Sequence, residues 1–136
     1  MVRRILRTAI ATALDGQITY NGVAVPVYHK VPDGAKKPFI EISGQSEATE
    51  QGNKDTKEYN GIVPIVVRTA SLGGGGGDLQ ADIITEQIEP LIDTVELSGY
   101  TIFSNSITGS NSDTKEFGNE FQTNKITNFQ FHIIKN

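Results

Sequence analysis

YNGIVPIVVRTASLGGGGGDLQADIITEQIEPLI, residues 59–92, sets an apolar extended run, a glycine tract and an amphipathic helix in direct succession. Ile62, Val63, Ile65, Val66 and Val67 place apolar side chains on both parities of a strand over Tyr59–Thr69. That pattern predicts burial on two faces, one under helices and the other against a neighbour. Pro64 cannot donate a ladder hydrogen bond, so an edge or a bulge is expected there. Ser71–Gly77, with five consecutive glycines, reads as a flexible linker, and Asp78 as the N-cap of a helix over 79–92. Leu79, Ile83, Ile84, Gln87, Ile88 and Leu91 span one broad face of that helix, with Asp78, Asp82, Glu86 and Glu89 on the other. Pro90 is expected to kink the helix or begin a new final turn.

Upstream, Val2, Ile5, Leu6, Ala9, Ile10 and Ala13 share one face at helical spacing, opposite Arg4, Arg7 and Thr8, which predicts a first helix over Arg3–Leu14. Asp15-Gly16 stops it. Asn21-Gly22 between Ile18–Tyr20 and Val23–Val25 is a hairpin signal, because both residues tolerate positive φ. Pro26 confines the second arm to an edge. Val27–Val31 reads as extended, residues 32–38 as turn-rich, and Phe39–Ser43 as a strand. Downstream, Val95–Leu97 and Tyr100–Thr108 read as extended. Phe121–Ile134 is expected to be a long strand, in which Phe129, Phe131 and Ile133 alternate with Asn128, Gln130 and His132. The polar stretches 44–57 and 109–119 are expected to be loops. Helix, strands, helix, strands gives a two-layer α+β sandwich: a mainly antiparallel sheet with two helices packed on one face.

The chain's 136 residues suit a single domain over 1–136. A hydrophobic fraction of 37% with 21% charged residues is ordinary for a folded protein. The absence of cysteine excludes disulfides, thiolate zinc sites and cysteine nucleophiles. A net charge of −4 argues against general nucleic-acid affinity, which needs clustered Lys and Arg. No apolar run approaches the roughly 20 residues of a membrane-spanning helix. The basic start, Met1–Arg7, precedes a stretch too weakly apolar for a secretory signal, so synthesis and use in the cytoplasm are expected.

No constellation carries obvious chemistry. The glycine tract has the flanks of a phosphate loop, but Asp78-Leu79-Gln80 replaces the Lys-Ser or Lys-Thr that chemistry needs, and a carboxylate there repels phosphate. Asp82, Glu86 and Glu89 stack along one helical face, which suits a solvated surface better than a metal site. His29 and His132 lack a nucleophile or an orienting acid nearby in sequence. Neither an enzyme activity nor a cofactor or metal is therefore expected. Arg3, Arg4 and Arg7 form a basic patch on the first helix that could oppose Asp82, Glu86 and Glu89 of an adjacent subunit.

The stretch Val27-Tyr28-His29-Lys30-Val31-Pro32, followed by Pro38-Phe39-Ile40-Glu41-Ile42, resembles the tail-completion (tail-terminator) family of long-tailed bacteriophages. That family places a Val-Tyr-x-x-x-Pro turn and a Pro-Tyr/Phe-Ile-x-Ile strand after an N-terminal helix. A polar loop, a strand, an Ala- and Ile-rich helix and a final strand pair follow, and the order here matches over nearly the whole chain. The resemblance implies a virion protein at the head-proximal end of the tail. Its subunits would form a homo-oligomeric ring, a hexamer by that resemblance, that caps the tail tube and joins it to the head connector or neck, with DNA passing through the lumen without specific binding. Heterologous ring contacts would then use Arg3, Arg4 and Arg7 against Asp82, Glu86 and Glu89, and an edge at Pro64. The family usually has an aromatic residue near Val67-Arg68-Thr69 and no polyglycine, which leaves neck, connector and tube-like ring roles open. A reading of another class is a small monomeric module that binds a protein or ligand.

Overall fold

The thirteen residues Val2–Leu14 form α1, whose buried stripe is Val2, Leu6, Ile10 and Leu14. That spacing returns each apolar side chain to one face of the helix. The computed structural model describes residues 2–52, 56–72 and 77–136. Strands β1 (Thr19–Tyr20) and β2 (Val23–Ala24) form the small hairpin expected around Asn21-Gly22, with φ of 51° and 78° at the two turn residues. The main sheet contains β3 (Val27–Tyr28), β4 (Phe39–Ile42), β5 (Glu47–Gln51), β6 (Glu58–Leu72), β7 (Tyr100–Phe117) and β8 (Glu120–Lys135). Its order is β3-β4-β6-β8-β7, with β5 also paired to β6. All pairs are antiparallel except β3 with β4. The second helix, α2, runs Gly77–Ile92 and continues two residues past Pro90. The fold is the expected α+β sandwich.

Both helices lie on one face of the sheet. Leu6, Ile10 and Leu14 of α1 meet Ile84, Ile88 and Ile92 of α2 above Ile40 and Ile42, Val63, Ile65 and Val67, and Phe129, Phe131 and Ile133. The register explains the alignment: Val63 faces Phe129, Gly61 faces Phe131, and Tyr59 faces Ile133, so one parity of β6 and β8 meets the helices. Val95 and Leu97 are buried, but their segment forms no strand.

Three expectations are corrected. Within the supposed loop 44–57, Glu47–Gln51 is a strand paired with Glu58–Ile62; residues 53–55 lie outside the described residues. The supposed loop 109–119 is the end of a long hairpin, in which β7 and β8 pair up to Phe117 and Glu120. Gly118, at φ 63°, fills the first position of its two-residue turn. Polar residues hold these strands because the long strands β6 and β8 present a ready ladder, and Thr114 and Thr123 share a hydroxyl hydrogen bond of 3.1 Å across the pair. Thirdly, β6 is not an edge. It pairs with β8 along its whole length and with β4 and β5 on its other side. Pro64 sits opposite the break between those two short strands, where its carbonyl accepts from Ser43 N at 3.0 Å. Its missing N–H therefore costs no ladder bond.

Of the glycine tract, Gly77 opens α2 and Ser71 ends in β6, while 73–76 lie outside the described residues, so the linker reading falls there. Asp78 follows the first helical residue instead of preceding it.

Candidate assembly surfaces

The basic patch divides on inspection. Arg3 donates to the Gly44 carbonyl at 2.8 Å and Arg7 to the Ile42 carbonyl at 3.0 Å, so both guanidinium groups tie α1 to the end of β4. These carbonyls lie where β4 stops and the sheet can no longer satisfy them. Arg7 Nε is buried without a partner. Arg4, like Arg3, is exposed. Arg7→Ala is accordingly expected to lower unfolding free energy by about 1–2 kcal/mol, the worth of a partly buried charge-assisted hydrogen bond. Arg4→Ala should stay within about 0.5 kcal/mol of the parent in urea denaturation. Near this corner, His29 is held below the usual imidazole range, first by desolvation and then by the Arg7 charge.

The acidic face of α2 divides likewise. Asp82 Oδ1 takes a hydrogen-bonded ion pair from Lys125 Nζ of β8 at 2.6 Å, whereas Glu86 and Glu89 remain exposed. Among the described residues, no three acids or histidines converge as a cation site. Asp82 and Arg7 are thus committed within the chain, and Arg4, Glu86 and Glu89 are the charges left free to meet a neighbour.

The buried stripe of α2 is Ala81, Ile84, Ile88 and Ile92, joined by Thr85. This stripe is rotated from the expected one, leaving Leu79 and Ile83 exposed. Gln87 spans the adjoining flank: its Nε2 donates to Thr19 O at 2.8 Å and its Oε1 accepts from Thr19 N at 3.0 Å, pinning the β1–β2 hairpin to the helix. Val23, on the second arm of that hairpin, is 68% exposed.

The sheet face away from the helices carries a second group. Arg68 donates to Glu41 at 3.0 Å and to Asn124 at 2.9 Å, bracing β4, β6 and β8 together. Val66 beside it is buried and lines, with Asn111–Asp113 of β7, a cavity of about 180 Å³. Further along, the His132 ring nitrogen lies 3.3 Å from Glu58 Oε2, and Phe103 packs edge-on against the imidazole at 5.5 Å between centroids. Phe103 nevertheless remains 69% exposed. The ladder slips between Ile102 and Ser104, and again between Ile107 and Gly109; the first bulge leaves Phe103 out of register and turned outward. No sequence pattern marked them, because a bulge resets parity within the strand. Among the described residues, the outer backbone of β7 has no strand beside it.

No protein-family model matches this sequence, and no curated protein matches it. Among solved structures, the chain is similar to a chain in the virion of a native gene transfer agent particle, with a TM-score of 0.70 over 95% of this chain and 96% of that one. Sequence identity is 11%, so the likeness is one of fold.

Proposed function

We propose that this protein is a structural virion subunit of a phage-like particle, acting by assembly and not by catalysis. The observation that carries the reading is the likeness in fold, over nearly the full length of both chains, to a component of a virion particle. Within that class, the segment order and the Val27–Pro32 and Pro38–Ile42 motifs favour a tail-completion or tail-terminator subunit. Such a subunit forms a ring, expected to be a hexamer, that caps the tail tube and joins it to the head connector at the head-proximal end of the tail. Heterologous contacts close such rings, and they require two different surfaces on each subunit. The outer backbone of β7, unpaired among the described residues, and the polar end of the β7–β8 hairpin suit that demand, since an exposed strand edge is a template for another chain. A net charge of −4 suits a conduit through which DNA passes without sticking.

The test is mass in solution across a wide concentration range, with and without candidate tail-tube protein. A ring of subunits, or one that forms on the tube and stops its growth, is the expected result. A strict monomer that leaves tube length unchanged overturns the proposal.

A further inference from the structure

Two exposed apolar side chains, Phe103 and Val23, lie toward opposite edges of the main sheet, at β7 and beside β3. On one edge, β7 carries Phe103 on the face away from the helices, packed against His132. On the other, Gln87 holds the hairpin that bears Val23. The two places differ in shape. Phe103 is a knob raised by a bulge, and Val23 borders a hollow of about 450 Å³ lined also by Val25, Pro26, Pro38, Lys36 and Lys37. They differ in charge as well. A carboxylate flanks the knob: Glu58, whose Oε2 lies 3.3 Å from His132 Nε2. Lysines flank the hollow.

We infer that Phe103 of one subunit seats in the Val23–Pro26–Pro38 hollow of a second copy of this chain, with Glu58 facing Lys36 and Lys37. The inference rests on the ring reading and names its contact. A knob and a hollow toward opposite edges of the sheet cannot satisfy each other within one chain or across a two-fold axis alone; they join copies head to tail, as a ring requires. A large aromatic in an apolar pocket with a charged rim is the arrangement that concentrates binding energy in one side chain. Neither Phe103 nor Val23 contributes to the buried core, so both can be altered without threatening the fold.

The chain has no cysteine, which makes the contact directly addressable. Full-length Phe103→Cys and Val23→Cys variants are mixed at concentrations where the parent assembles, and treated with a short bismaleimide. The expected product is a covalent heterodimer of one variant with the other, and a ladder of multimers from the double variant. Phe103→Ala should weaken self-association about 30-fold or more, as at an interface hot spot, with the thermal unfolding midpoint retained. Assembly that persists with only like-with-like links, with no links, or with Phe103→Cys linked only to added tube protein overturns this contact and leaves the ring reading standing. A chain that stays monomeric with and without tube protein overturns both.

Discussion

Phe131→Ala is expected to lower the free energy of unfolding by about 3–5 kcal/mol, the usual cost of emptying a buried aromatic site. Phe131 is fully buried and stands opposite Gly61 on the central strand pair. Gly61 offers no side chain to fall into the space, and Leu6, Ile133 and Ile10 around the core are held by both layers. The cavity should therefore persist. Against a typical total of about 5–15 kcal/mol, this loss removes a large part of the stability and could leave a mixed population at ambient temperature. Phe103→Ala is the internal control: the same chemical change at a largely exposed side chain should move the urea midpoint little. Equal effects at the two positions would contradict the burial of one and the exposure of the other.

The elements that sequence reading located are those in which local pattern and tertiary environment agree. The stripe of α1, the Asn21-Gly22 turn and the alternation of Phe129, Phe131 and Ile133 each name their own partner face, and each is found close to its expected bounds. Elsewhere the decisive partner lies far off in the chain. Glu47–Gln51 and Gly109–Phe117 have the composition of loops, yet become strands because β6 and β8 supply the facing ladder. On α2, Ile83 and Ile84 are adjacent, so an apolar arc drawn from composition can be centred on either. The register with the sheet and the Gln87–Thr19 bonds settle it on Ile84 and expose Ile83. Arg3 and Arg7 look like free charges because their acceptors are backbone carbonyls, which leave no trace in residue type. For Pro64, the missing hydrogen bond is legible in sequence, but its location between two consecutive short strands is a property of topology. The assembly surfaces suffer most from this limit: outward-facing Phe103 depends on a bulge, and its hollow on three separate segments.

Gly61→Val is expected to destabilise by about 1–3 kcal/mol through overpacking, even though valine favours strands. A Cβ at position 61 would lie 2.6 Å from Leu6 Cδ2 and 3.7 Å from Ile133 Cδ1. The backbone at Gly61 has no positive φ, so the residue is there for space: it is where α1 comes down onto β6. Leu6 is fully buried and cannot swing into solvent, which forces the helix to lift or the leucine into a poor rotamer. Leu6→Ala alone should cost about 2–5 kcal/mol by leaving a cavity at the same point. In the double variant, the new valine occupies the volume that the leucine vacates, so the combined loss should fall short of the summed single losses by about 1 kcal/mol or more. Urea denaturation of the four proteins measures this coupling. Strict additivity would mean that the approach of α1 to the sheet is not what excludes a side chain at Gly61. A favourable coupling would fix the helix–sheet spacing that holds α1, and with it Arg3 and Arg7, at their positions over the end of β4.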